Sequence, residues 1–528
     1  MHPVEIFELV FALLTAILGL HWAAAKLGLP PAVALLVGGV VLAFIPGLPV
    51  LELDPELVLV LFLPPLLMDG AYFTAIAAFR RHIAGILSLA VGAVVFTTLV
   101  VGVVVHMLVP DLPWAACFAL GAIVSPPDAV SARAVLQRVQ LPRRLTTLLE
   151  GESLLNDATG LVLFRFAVVA TLTGTFDAGE ASISFATLAL GGVIVGGVIG
   201  GIWVLLLKRL ADTTLMIVAS VILCWAAYLA GESLHVSGVI AKVTAGLVYG
   251  WYQHVVHSAQ VRIRGSAFWH VMVFVFEAMV FVLIGFSLRG VLERVGGIDT
   301  VAATMALPVL GVVAAVTVAR FAWVFGSDAV ILLLNRAGLA RTRPLGVRAG
   351  TVVSWAGMRG VVTLAVALTL PEAMPGRDLM LVTAFAVILV TVLMQGTTLS
   401  LVIKAAGLRD ADPPAPLNLA QAEAAMARAQ LAAVETLAYG PDGTLLHPML
   451  LETYGRRARQ TENYNANAEA MIGNIIAHFD LVIDAVSAGR MELVRLHRAG
   501  QIDDDTLHNL ERDLDLEELA AEAAKMVG

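Results

Sequence analysis

Ile83-Ala-Gly-Ile-Leu-Ser-Leu-Ala-Val-Gly-Ala-Val-Val-Phe-Thr-Thr-Leu-Val-Val-Gly-Val-Val-Val105 runs for 23 residues without a charge. Coiled as an α-helix at about 1.5 Å per residue, it covers a hydrocarbon layer of about 30 Å. Runs of this kind recur along the chain, many with glycine inside them, as membrane helices use for close packing. The bulk numbers agree: of 528 residues, 59% are hydrophobic and 14% charged, with a mean hydropathy of +0.88. A water-soluble chain carries about 25% charge. The chain therefore reads as a membrane protein built of helices.

Outward from that run, thirteen spans are predicted, at about 4–25, 30–50, 55–76, 82–108, 113–135, 146–173, 181–208, 213–231, 234–252, 268–289, 299–334, 347–371 and 378–404. The eleventh is too long for one upright helix and must tilt or continue past the surface. The N-terminus lacks the basic stretch and small-residue cleavage site of a signal peptide, so the first run is expected to stay as a helix. Cys117 and Cys224 lie in apolar runs and read as small core residues, with no zinc or iron–sulfur spacing.

Alternate loops and span ends sort by charge. One set holds Lys26, Arg80, Arg81, Arg133, Arg138, Arg143, Arg144, Lys208, Arg209, Arg262, Arg264, Arg336, Arg341, Arg343, Arg348, Lys404 and Arg409. The other holds only Arg289, Arg294 and Arg377, beside acids such as Glu52, Asp54, Glu56, Asp111, Asp177 and Glu180. Basic loops stay cytoplasmic, which puts the N-terminus outside and the C-terminus inside. A cell inner (plasma) membrane is the expected location.

Three segments follow from the polarity: residues 1–404 in the membrane, 405–416 as a linker, and 417–528 as a small helical cytoplasmic domain. Asp412-Pro-Pro-Ala-Pro416 is expected to break the last membrane helix. From Asp410 to Gly528 there are 20 acids against 9 bases, the wrong sign for nucleic acid. Leu419–Leu437 and Ala468–Val486 show helical spacing, and Glu492–Ala523 has room for two short helices. A solvated spacer is the alternative reading of this tail.

Charge inside a bilayer costs a few kcal/mol per group even on the mildest scale. The acids expected at depth are Asp69, Asp128, Glu152, Asp157 and Glu277, and the bases Arg165, Lys242, Arg320 and Arg359. Pairing each base with an acid leaves one carboxylate over. In Glu152-Ser-Leu-Leu-Asn-Asp157, the residues Glu152, Ser153, Asn156 and Asp157 share one helix face of about 140°. That face offers carboxylate, hydroxyl and amide oxygens, the ligands that hard cations such as sodium accept. A polar network that only fixes helix packing is the alternative.

Two further stretches should disturb their helices. In Val124-Ser-Pro-Pro-Asp-Ala129, Pro126 and Pro127 remove two backbone donors, freeing carbonyls at membrane depth beside Asp128. Transporters hold ions at such broken helices; a plain proline kink is the bland reading. Trp355-Ala-Gly-Met-Arg-Gly-Val361 sets glycines around Arg359 and suggests a second break. The two breaks fall seven spans apart and so run in opposite directions, as in inverted six-helix repeats with crossed broken helices. Leu63-Pro-Pro-Leu-Leu-Met-Asp69 places another proline pair before an acid, read either as a third wall of the cavity or as a kink.

Pro64-Pro-Leu-Leu-Met-Asp-Gly-Ala-Tyr72, Glu152-Ser-Leu-Leu-Asn-Asp157 and Gly357-Met-Arg-Gly360 together resemble the sodium/proton exchangers of the NhaP and NHE branch, in order and spacing across residues 1–404. The tail near Gly500–Glu518 is similar to the tails of bacterial members. The resemblance implies a core domain and a dimerisation domain, a homodimer, elevator-like movement, and no cofactor beyond the transported Na+ and H+. Carried over by motif position, Asp157 would bind ion and proton and Ser153 would share the sodium. Asp69 would order the site, Asn156 would stabilise the helix crossing, and Glu152 and Arg359 would form a structural ion pair. The chain departs from the family at Pro127-Asp128-Ala129, where Thr-Asp-Pro is usual, at Asp69 for Glu, and at Lys242 for a small apolar residue.

The exchange chemistry expected is competition of proton and cation for one carboxylate, since a carboxylate withdrawn from water takes up a proton readily. Asn156 before Asp157, instead of a second aspartate, points to electroneutral exchange and a part in pH homeostasis. A potassium/proton antiporter is the near alternative, and a symporter of an anionic organic solute the more distant one. The sequence shows neither a His-Glu-x-x-His zinc motif nor a Gly-x-Gly-Asp pair, so no membrane enzyme is expected. His254 and His257, one helix turn apart, read as a solvated loop or as a metal pair.

Overall fold

The computed structural model describes residues 3–46, 55–128, 141–175, 177–339, 342–408, 417–466 and 468–527. The chain divides into two compact units, Met1–Asp412 and Pro413–Gly528. Helix occupies each of the thirteen predicted segments of the first unit. Among the described residues, eight helices are long and apolar enough to cross a membrane, and three shorter apolar ones accompany them. The protein is an all-helical, multi-pass membrane protein.

The helices of the first unit are α1 (Pro3–Leu27), α2 (Pro31–Ala43), α3 (Pro55–Phe73), α4 (Ile76–Leu87), α5 (Val94–Leu108), α6 (Trp114–Val124) and α7 (Arg143–Thr173). They continue with α8 (Ala178–Leu207), α9 (Thr213–Ser233), α10 (Gly238–Val256), α11 (Ala259–Val295) and α12 (Ala306–Arg336). The last four are α13 (Gly346–Trp355), α14 (Val361–Leu368), α15 (Arg377–Val390) and α16 (Gly396–Ala406). π-Helical turns at Ser88–Ala93 and Thr391–Gln395 join α4 to α5 and α15 to α16, and a third at Val301–Met305 leads into α12.

Two departures from the sequence reading have plain causes. The hydrophobic pattern predicts the tenth span at 268–289, yet α11 begins at Ala259, where Ser258 caps it by accepting from the Val261 amide at 3.3 Å. A helix once nucleated runs on through Arg262 and Arg264, since propagation needs no apolar surface. In α3 the prolines Pro64 and Pro65 do not end the helix. Pro64 has no N–H for the Val60 carbonyl, and the Trp225 indole of α9 donates to that carbonyl at 2.9 Å instead.

The helices pack in two sets: α4–α7 with α12–α16, and α1–α3 with α8–α11. α3 and α10 border the seam, where they meet α7 and α3 also meets α14. α3 and α10 pack closely on each other through small residues; a Cβ on Gly246 would meet Ala71 Cβ at 2.8 Å. Cys117 and Cys224 are buried free thiols, as expected.

In the second unit, α17 (Leu419–Leu437) opens with a reciprocal cap between Asn418 and Gln421. Then follow α18 (Pro448–Ala466), α19 (Ala468–Arg498) and α20 (Asp504–Val527). The two short helices expected over 492–523 are instead the end of α19 and a separate α20. Arg490 holds them together, donating to Asp515 at 2.7 Å and to Glu518 at 2.5 Å. The proposed break at 412–416, most of the linker 405–416, and Ala129, Arg133 and Arg138 lie outside the described residues.

Candidate functional site

The site forms where two unwound stretches cross. α6 stops at Val124 and the chain runs non-helically through Ser125, Pro126, Pro127 and Asp128. α13 stops at Trp355 and helix resumes only at Val361. The Asp128 amide donates to the Met358 carbonyl at 2.7 Å, joining the two stretches directly. Gly360 allows the contact: a Cβ there would collide with the Asp128 carboxylate. The carboxylate thus lies against the N-terminus of α14, where unpaired amides carry partial positive charge.

Arg359 serves the opposite pole. Its guanidinium donates to the carbonyls of Val124 at 2.7 Å and Ser125 at 3.1 Å, and to that of Gly357. These are carbonyls left open where α6 ends. Its own amide donates to Thr391 Oγ1 at 3.0 Å, within the π-helical turn between α15 and α16. Asn156 Nδ2 donates to the Pro127 carbonyl at 2.5 Å, tying α7 to the crossing. Ser125 Oγ accepts from Thr98 of α5 at 3.1 Å.

The expected Glu152–Arg359 ion pair is corrected by the structure. Glu152 pairs with Arg320 of α12 through two hydrogen bonds of 2.6 and 2.9 Å, both groups buried. Arg320 also donates to the Val353 carbonyl at 3.1 Å. Gly357 makes room for it, since a Cβ there would strike the Arg320 side chain. Arg359 spends its donors on carbonyls instead. Arg165, expected at depth, sits on the protein surface with Glu232 at 3.4 Å.

The remaining residues line the seam. Ser153 is half-buried one turn from Asp157. Asp157 is 7% exposed and, among the described residues, makes neither hydrogen bond nor ion pair; Asp128 and Lys242 lie within its electrostatic reach. Asp69 of α3 is buried on the facing wall. Glu152, Ser153, Asn156, Asp157, Asp128, Asp69 and the two prolines lie around the crossing and the facing wall. Sequence reasoning missed Thr391, Thr98 and the partner of Arg320, because a π-helical turn and a tertiary pairing leave no periodic trace.

His257 overturns both readings given to it. It is buried and accepts or donates through both ring nitrogens, to Tyr249 at 2.9 Å and to Tyr72 at 3.3 Å. Burial, with Arg262 and His254 nearby, lowers its pKa from 6.5 to about 4. Among the described residues, no group of three or more His, Cys, Asp or Glu is placed to hold a metal ion.

A multi-pass helical membrane protein with a buried carboxylate centre at crossed broken helices is, by class, an ion-coupled transporter. Residues 10–405 match the family model described as sodium/hydrogen exchanger, transmembrane. A protein named as a Na+/H+ exchanger in Mycobacterium tuberculosis H37Rv is 34% identical, with 93% of this chain and 91% of that one aligned. A similarly named protein of Escherichia coli K12 is 31% identical over 88% of this chain and 89% of that one. The sodium proton antiporter MjNhaP1 of Methanocaldococcus jannaschii shares the fold, with a TM-score of 0.60 at 20% identity over 76% of this chain and 99% of that one. The chain belongs to the sodium/hydrogen exchanger family. It is a monovalent cation/proton antiporter, and not an enzyme.

Proposed function

We propose that this antiporter exchanges sodium, or lithium in its place, for protons one for one, with both competing for the Asp157 carboxylate. The observation that carries this reading is the state of Asp157. Glu152 is held by Arg320 and Arg359 is held by carbonyls, whereas Asp157 is buried without a hydrogen bond or ion pair among the described residues. A buried carboxylate left in that state is costly unless a cation or proton neutralises it. Ser153 and the Asn156 Oδ1, a buried oxygen without a hydrogen-bond partner among the described residues, are further oxygens for a hard cation.

The charge inventory supports the stoichiometry. Around the crossing and the facing wall, Asp69, Asp128, Glu152 and Asp157 stand against Lys242, Arg320 and Arg359, which leaves one negative charge there for one monovalent cation. The thirteen-helix inverted repeat is supported by the two breaks, in the fifth and twelfth helical segments. Elevator movement is supported by the seam between the two helix sets, with the site on it. The bias of Lys and Arg between alternate loops supports a C-terminus inside the cell. Exposed Phe7, Phe11 and Trp22 on α1 and Ile183, Leu190 and Ile194 on α8 offer faces for lipid or for a second copy in a homodimer.

A second reading, with potassium among the cargo, is favoured by one relative. A Bacillus subtilis protein, 34% identical over 65% of this chain and 53% of its own length, is named a sodium, potassium, lithium and rubidium/H+ antiporter. Collapse of a pH gradient in vesicles containing the protein separates the readings. Sodium and lithium should dissipate it equally well with and without a clamped membrane potential. A response to potassium as large as that to sodium establishes the broader selectivity, and a rate that follows the potential removes the one-for-one stoichiometry.

A further inference from the structure

Lys242 lies in α10, the helix that packs on α3, α8 and α9 and touches α7 across the seam. It is 1% exposed, and among the described residues its Nζ has no hydrogen-bond partner. Asp69 of α3, Asp157 of α7 and Cys224 of α9 lie within its electrostatic reach. An ammonium buried without hydrogen bonds costs several kcal/mol, whereas methionine would fill similar space at little cost. Packing gives no reason for a lysine at this position. Its placement does: it lies on the facing wall within electrostatic reach of Asp157, which among the described residues makes neither hydrogen bond nor ion pair.

We infer that Lys242 sets the affinity of the exchange site, its ammonium acting as a resident counter-charge to Asp69 and Asp157 that any incoming cation must overcome. The inference deepens the reading of Asp157 as the shared site and rests on it. With Lys242 the seven charged groups around the crossing (Asp69, Asp128, Glu152, Asp157, Lys242, Arg320 and Arg359) sum to one negative; without it they sum to two. A fixed positive charge acts on sodium and on a proton alike, because each brings one charge to the same carboxylate. It therefore weakens both by one common factor. Weak holding lets each ion leave on the far side, as exchange requires.

The common factor makes the test sharp. Wild type, Lys242→Met, Lys242→Gln, Lys242→Arg and Asp157→Asn are reconstituted side by side. In the two neutral variants, the apparent KM for sodium on the alkaline side of the activity profile should fall by about tenfold. The acid limb of the same profile should move up by about one pH unit, since tenfold in affinity is one unit in pH. Lys242→Arg should keep both near wild type, and Lys242→Met should unfold at no lower temperature than wild type.

Unchanged KM and unchanged acid limb in Lys242→Met and Lys242→Gln overturn the inference, as does movement of only one of the two. Failure of both neutral variants to fold, with Lys242→Arg folded, makes Lys242 a structural residue and overturns it equally. Exchange surviving in Asp157→Asn is a different result. It removes Asp157 as the shared site, whatever the Lys242 variants do.

Discussion

The amide of Asp128 donates to the carbonyl of Met358 at 2.7 Å, and through this one bond two helix breaks at membrane depth become a single structure. Backbone groups freed by Pro126 and Pro127 would be intolerable in hydrocarbon alone. Here Arg359 takes the carbonyls at one end, and the Asp128 carboxylate faces the amides at the other. The crossing leaves Asp157 beside it without a hydrogen bond or ion pair among the described residues.

Gly360→Ala tests the crossing. The added methyl would enter the Asp128 carboxylate, and overpacking of this kind costs about 1–3 kcal/mol. Exchange should be lost or severely slowed, with a lower unfolding temperature. Gly197→Ala, where a Cβ meets nothing within 4 Å, serves as the control and should behave as wild type. Equal behaviour of the two variants would show that the close approach is not needed.

The Glu152–Arg320 pair should behave as a unit. Removing one partner leaves a buried charge uncompensated, at a cost of about 3–5 kcal/mol. Glu152→Gln and Arg320→Met should each destabilise the protein strongly, and the double variant should recover part of the loss. Thermal unfolding in detergent measures this, and simple additivity would contradict the pairing.

Trp225 and Pro64 form an unusual couple. Trp225→Phe leaves the Val60 carbonyl without a donor, which costs about 1–3 kcal/mol. In a Pro64→Ala background the residue 64 amide can supply that bond within α3, so the same change should cost much less. A double-mutant cycle reads the coupling directly, and a cost independent of residue 64 would refute it.

His257 predicts a pH dependence of stability. Its pKa in the folded protein, about 4, lies below the ordinary 6.5, so between these values the unfolded chain binds more protons. The stability that neutral His257 contributes is complete above about pH 6.5 and is lost as pH falls toward about 4. His257→Gln should flatten the melting temperature across this window relative to wild type. An equally steep profile in the variant would show that His257 is not the group responsible.

Much of the site was legible because its parts are local. Glu152, Ser153, Asn156 and Asp157 fall on one face by helical geometry alone, and the consecutive prolines 126 and 127 point to a break, although the same pair at 64 and 65 leaves α3 continuous. Partners were not legible. Glu152 could be assigned to either arginine from sequence, and the choice depends on how α12 packs beside α7. The Thr391 contact depends on a π-helical turn, whose residues show no distinct pattern. His257 reads as a polar loop residue until Tyr72, 185 positions away, is seen to close on it. In the tail, the amphipathic stretch of α19 was visible, but α18 was not, since its mean polarity hides its apolar face.

Sodium-driven proton movement in Asp157→Asn, reconstituted at the same density as wild type, tests the central claim most directly. Asp157 makes no hydrogen bond or ion pair among the described residues, so the variant should fold and melt close to wild type. It should show no sodium- or lithium-driven proton flux above that of protein-free vesicles. Flux remaining in the folded variant would contradict the account and move the shared site to another carboxylate.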